Sequence, residues 1–119
     1  MGPIYTMAIY TMVRKADWQQ AEQAGVYTGS ADDTRDGFLH FSTASQIAIS
    51  ASKHRAGETD LLLVAVDPKN VGEALKWEKS RDDALFPHLY SPLLMTQVSW
   101  VKPLPLGEDG KHQFPDMEL

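Results

Sequence analysis

"DLLLVAVDP", residues 60–68, sets six apolar residues, Leu61 to Val66, between turn signals on either side. An unbroken apolar run of this length, without the alternation of a half-solvated strand, reads as a central strand buried on both faces. Downstream, "DPKN" turns the chain, "VGEAL" suits one helical turn, and "LKWE" (75–78) reads as a short strand. "KSRDDAL" then forms a polar loop leading into "FPHLYSPL", and "MTQVSWVKPL" (95–104) is the last strand, with Thr96, Val98 and Trp100 on one face. Upstream, "STASQIAISASKHRAG" carries the clearest local logic. Thr43 with Gln46 fits a capping box. Ala44, Ile47, Ala48 and Ala51 then fall at helical spacing, and Gly57 offers a stop.

Further toward the N-terminus, "MAIYTMV" (7–13) has the β-branched and aromatic content of a strand. "KADWQQAEQAG" (15–25) reads as a helix closed by Gly25, and residues 28–36, "TGSADDTRD", as a polar loop. A strand over 37–42 follows. The order β-α-β-α-β-β-β alternates too irregularly for a doubly wound sheet, so the expected class is α+β. One domain over 1–104 is expected, followed by an irregular or partly disordered tail over 105–119, the stretch from Pro103 onward holding three prolines and two glycines.

Composition narrows the function. The 119 residues suit one compact domain, and 43% hydrophobic with 23% charged residues is ordinary for a soluble protein. A net charge of −5 with scattered Lys and Arg argues against a nucleic-acid partner. No apolar run approaches the about 18 residues that cross a bilayer, and "MGPIYTM" lacks the pattern of a signal peptide, so a cytoplasmic protein without a membrane partner is expected. The absence of cysteine excludes disulfides, thiolate nucleophiles and cysteine-held metals.

Three polar clusters interrupt apolar sequence: His40-Phe41-Ser42-Thr43, Trp77-Glu78, and Phe86-Pro87-His88-Leu89-Tyr90. Singly, each has a plain reading: a structural histidine, a helix cap, a solvated carboxylate, a proline turn, a core aromatic. Together they supply the apolar walls and few polar groups of a small-molecule pocket, and His40, Ser42 or Thr43, and at least one of Glu78, His88 and Tyr90 are expected to line one cavity. His40, His54, His88 and His112 show no HxH or HxxxH spacing, so no metal site is expected. No phosphate-cradling glycine motif and no GxSxG elbow is present, and nothing selects Ser42 and His88 as a hydrolase pair.

"IYTMV", "GFLHFSTASQI", "DLLLVAVD", "LKWE" and "FPHLYSPL", in this order over about residues 8 to 104, closely resemble the small bacterial family known as domain of unknown function 952. The resemblance implies a fold similar to the ADP-ribosyltransferases and RNA 2′-phosphotransferases: a split antiparallel β-core with flanking helices around a cleft that holds NAD or a related molecule. Known members of that larger group use a His or Arg on the first strand, a Ser, Thr or Tyr on a second and often a Glu on a later one. Matched residue by residue, the second-strand element falls on Ser42 and Thr43 with His40 beside them, and the late carboxylate on Glu78. Thr11 stands where many relatives of the family have histidine. The resemblance therefore implies NAD as a candidate substrate, Glu78, His40 and His88 as candidate catalytic residues, and Ser42, Thr43, Trp77, Tyr90 and Thr11 as ligand contacts. Glu78 would stabilise positive charge developing on the ribose as the nicotinamide leaves, and Tyr90 or Trp77 would stack on the cationic ring. The alternative is a non-catalytic small-ligand or protein-interaction domain of the same fold.

Overall fold

The computed structural model describes residues 7–80 and 83–117. Residues 81–82 of the expected polar loop, 1–6 of the expected domain and the last two of the tail lie outside these. The class is α+β, with antiparallel sheets and, among the described residues, three α-helices.

The apolar run forms β5 (Leu61–Val66), which lies inside a four-stranded sheet between β1 (Ile9–Arg14) and β9 (Val98–Leu104). Its alternation explains why it shows no polar face. Val64 and Val66 enter one core cluster with Ile9 and Val13 of β1, while Leu61, Leu63 and Ala65 enter another with Tyr10. The first cluster is completed by Trp18 and Ala21 of α1 (Lys15–Ala24), which ends where Gly25 takes up a left-handed conformation at φ 81°. The second is covered by Ile47 of α3 (Ala44–His54), with Phe114 and Met117 of the C-terminal segment packed against it.

The stretch 37–42, expected to form one strand, divides between two sheets. β3 (Leu39–His40) pairs with β7 (Leu85–Leu89), whereas β4 (Ser42–Thr43) pairs with Ile9 and Tyr10 of β1. Phe41 is the pivot, its N–H donating to the carbonyl of Pro87 at 3.1 Å. "FPHLY", expected outside any regular element, is mostly β7, the middle strand of a three-stranded sheet with β3 and β6 (Leu75–Lys79). Pro87 sits in that strand opposite Trp77. The expected polar loop 28–36 contains α2 (Ala31–Asp36), opened by a reciprocal capping box between Ser30 and Asp33. Five of its six residues are polar, which leaves α2 no apolar face to betray it in the sequence.

Smaller differences follow the same logic. The last strand starts at Val98, because Met95–Gln97 is a 3-10 turn that removes Thr96 from the face of Trp100. A two-stranded ribbon, β2 (Val26–Tyr27) with β8 (Leu93–Leu94), was not foreseen. α3 buries Ile47, Ser50 and Ala51, leaving Ala44 and Ala48 exposed, and its C-cap is Arg55 rather than Gly57. Among its described residues the tail contains no further helix or strand beyond an isolated Leu106–His112 bridge, and it is tied to the domain by several hydrogen bonds. Among the described residues, no helix is long and apolar enough to cross a membrane.

Candidate functional site

β4 is only two residues long, so it leaves β1 after Tyr10. From Thr11 onward the edge of β1 on that side has no strand partner among the described residues, and a cleft of about 600 Å³ opens there. Its walls come from β1, α2, α3, the β3–β4 crossover and β7. Tyr10, Phe41, Ile47 and Phe86 make the apolar part. The backbone of β1 contributes as well. The Met12 carbonyl faces this edge, where it accepts from Nη2 of Arg55 at 3.3 Å, and in an antiparallel strand the N–H of the same residue points to the same side.

Of the residues singled out from the sequence, His40, Ser42, His88 and Thr11 line this cleft. Ser42 is buried, with its hydroxyl 3.0 Å from that of Ser50. Thr43 instead opens α3, and its N–H donates to Oε1 of Gln46 at 3.0 Å. Trp77 packs against the first core cluster. Tyr90, 43% exposed, borders a smaller recess with Phe38, Leu89 and Pro92. Glu78 is not among the lining residues. It bridges His88 and Tyr90, accepting from His88 Nδ1 at 2.9 Å and from the Tyr90 hydroxyl at 2.7 Å. These two hydrogen bonds, Tyr90 first and His88 second, hold its carboxyl below the usual range.

The two histidines oppose each other across β3 and β7, with ring centres 5.8 Å apart. Phe38 lies against both, stacked on His88 at 4.0 Å and tilted against His40 at 4.6 Å. Their surroundings differ. His40 is clasped by α2, with Nδ1 2.6 Å from Asp33 Oδ1 and Nε2 3.0 Å from Asp36 Oδ2. The hydrogen bond to Asp33 raises the His40 pKa against the opposing effect of burial, so the ring favours the imidazolium form. Burial alone pushes Asp33 upward, but hydrogen bonds from His40 and Ser30 outweigh it and leave that carboxyl lowered. His88 has only its Nδ1 engaged by a carboxylate, and its Nε2 has no partner among the described residues.

Charge is distributed unevenly. Asp32, Asp33 and Asp36 line the α2 side together with Arg35, while Lys53, His54 and Arg55 stand at the end of α3. The cleft thus has an acidic α2 wall, where His40 lies between two carboxylates, and basic side chains at the end of α3. No group of three or more metal-ligating side chains is present among the described residues. Among the residues that the sequence did not single out are Asp33, Asp36, Ser50 and Arg55. Only one had a legible signal, the Ser30-x-x-Asp33 spacing of a capping box.

No curated protein matches the chain. Among solved structures it is similar to protein CC0527 from Caulobacter crescentus, with 43% identity over 90% of this chain and 94% of that one. The TM-score against that crystal structure is 0.87. A double mutant of CC0527 gives the same values, and its solution NMR structure gives a TM-score of 0.81 over 89% of this chain and 91% of that one. Residues 12–101 match the family described as protein of unknown function (DUF952), and the chain belongs to that family.

Proposed function

We propose that the cleft beside β1 binds a small molecule of the NAD or ADP-ribose type and that the domain is an ADP-ribosyltransferase-like enzyme built on a split antiparallel core. The observation that carries this reading is the cleft itself. It opens where β4 leaves β1, its volume lies within the about 300–1,000 Å³ common for ligand sites, and His40, Ser42 and His88 converge on it. Its uneven charge suits NAD, which has a cationic nicotinamide ring at one end and an anionic diphosphate further along. The acidic α2 wall favours the first, and Lys53, His54 and Arg55 favour the second. The open edge at Met12 offers a peptide N–H beside the site, which suits an amide or hydroxyl acceptor on the ligand. Glu78 acts in this reading through His88 rather than by touching the ribose.

A second reading, a binding domain without turnover, is favoured by Thr11. It lines the cleft at a first-strand position, is only 7% exposed and offers a hydroxyl in place of an imidazole or guanidinium. Calorimetric titration with NAD and with ADP-ribose, beside an assay for released nicotinamide, separates the two. Binding with release supports the enzyme, and binding without release supports the binding domain. A ligand held at a hundred times its dissociation constant adds about 2.7 kcal/mol of stability, so the absence of both a heat of binding and a rise in Tm with either compound overturns the NAD site.

A further inference from the structure

We propose that the group accepting the ADP-ribosyl unit in this cleft is an uncharged hydroxyl, whose proton passes to Nε2 of His88, and that Glu78 and Tyr90 are positioning residues for that imidazole. The proposal rests on the reading of the cleft as an NAD site and assigns it a second substrate class.

A carboxylate oxygen only accepts, so the 2.9 Å contact between Glu78 Oε1 and His88 Nδ1 places a proton on Nδ1. In the neutral imidazole the other nitrogen, Nε2, is then the acceptor, and it has no partner among the described residues. Tyr90 holds Glu78 from the far side at 2.7 Å, and Phe38 stacks on the His88 ring at 4.0 Å. The imidazole is therefore fixed in both tautomer and plane, the arrangement that a general base requires. His40 cannot serve in its place, because both its nitrogens are spent on Asp33 and Asp36. Clasped by these two carboxylates, it forms a fixed part of the wall beside the base.

The surroundings choose the acceptor. A carboxylate needs no base to attack, and it would meet Asp32, Asp33 and Asp36 on the α2 wall. An ammonium or guanidinium arrives protonated, with a pKa of about 10 or above, so it has no lone pair to attack with until it loses that proton, and it would meet Lys53 and Arg55 at the end of α3. A hydroxyl meets neither obstacle and uses the base. In the step, the hydroxyl oxygen forms a bond to C1′ of the nicotinamide ribose as the C1′–nitrogen bond breaks. Nicotinamide leaves neutral with the bonding electron pair, and the hydroxyl proton moves to His88 Nε2 and then to solvent.

The test uses the full chain with NAD and methanol as the hydroxyl probe, with acetate and methylamine as competitors, and methyl ADP-ribose detected by mass spectrometry. Transfer to methanol is expected to exceed transfer to acetate or methylamine. His88→Gln should lower kcat by about 100-fold or more, the usual range for a lost general base, while the calorimetric Kd for NAD stays within about twofold. Glu78→Gln should lower kcat without raising KM and move the limb of the pH–rate profile belonging to the base, with Tyr90→Phe acting in the same direction more weakly. The groups around His88 that bear on that limb are Glu78 and Lys76 of β6, His40 of β3 with its Asp33 and Asp36, and Tyr90. Should His88→Gln fail to fold, the pH profile of Glu78→Gln decides, since Glu78 is half-exposed and its amide is nearly isosteric. NAD bound and cleaved at an unchanged rate in the His88 and Glu78 variants, or a preference for acetate, overturns this proposal while leaving the NAD site standing. NAD bound but never cleaved also overturns it. Failure of the wild-type protein to bind NAD overturns both.

Discussion

Asp33 holds His40 twice through one oxygen: Oδ1 accepts from the His40 backbone N–H at 3.0 Å and lies 2.6 Å from its Nδ1. The other oxygen, Oδ2, accepts from the N–H of Ser30 at 2.8 Å, so the same side chain starts α2 and fixes the histidine of the cleft. Asp33 is 7% exposed, and removing its charge leaves three donors sharing a weaker, half-donor group. Asp33→Asn is expected to cost about 2 kcal/mol, read as a lower urea midpoint at an unchanged slope. A midpoint equal to that of the wild type would show that His40 and α2 hold their places without this carboxylate.

The same contact sets a pH dependence with two opposite limbs. His40 is raised in the folded state, so its contribution to stability is complete below the ordinary imidazole value of about 6.5 and is lost as pH rises through the raised value. Asp33 is lowered, so its contribution is complete above the ordinary carboxylate value of about 3.9 and is lost as pH falls through the lowered value. Stability should therefore decline on the alkaline side of about pH 6.5. Urea midpoints measured across that range should lose most of this decline in His40→Gln, and an equal decline in the variant would assign it to other groups.

Much of the fold was legible because burial on both faces leaves a mark in composition. Leu61 to Val66 could serve only as an inner strand, and Thr43 with Gln46 announced the start of α3. The site was legible as residue types, His40, Ser42 and His88, but not as an arrangement. Two local facts hid it. α2 is too short and too polar to show an amphipathic period, so Asp33 and Asp36 looked like loop residues. β7 carries Pro87 and His88 in a middle strand, where proline argues against strand assignment, although Pro87 there lends its carbonyl to Phe41. The pairing of Glu78 with His88 depends on the register of β6 against β7, which no local signal specifies.

Gln46 joins two parts of the molecule. Its Oε1 accepts from the N–H of Thr43 at the start of α3, and its Nε2 donates to the carbonyl of Leu85 at the start of β7 at 2.8 Å. Gln46→Ala loses a cap and a link between α3 and β7, about 1–2 kcal/mol at the usual net value of a hydrogen bond. Thr43→Ala should cost about 1 kcal/mol. Because both changes act on one capping box, the double variant should cost less than their sum. Strict additivity in denaturation experiments would mean that the two side chains do not act together.

The C-terminal segment is expected to support the cleft from behind. Tyr10 has one side in the cleft wall, and its hydroxyl donates to the carbonyl of Met117. Phe114 and Met117 pack against the cluster of Tyr10, Ile47, Leu61, Leu63 and Leu104, and Lys102 Nζ donates to the carbonyl of Asp116 at 2.8 Å. A further tie runs through His112, whose Nε2 donates to the carbonyl of Glu58 at 2.8 Å. The Glu58 side chain in turn pairs with Arg55, which reaches the Met12 carbonyl at the open edge of β1. Phe114→Ala removes a partly buried ring and should cost about 1–2 kcal/mol, at the lower end of the value for a fully buried phenylalanine. Ending the chain after Leu104 should cost more, since it bares Leu104 and the Tyr10 face together, and should show a smaller urea slope because less surface is buried on folding. Tyr10→Phe separates the two effects: it keeps the apolar contact and loses one hydrogen bond, about 1 kcal/mol. A truncated chain with the stability and urea slope of the full one would mean that the segment rests on the domain without holding the β1 wall of the cleft in place.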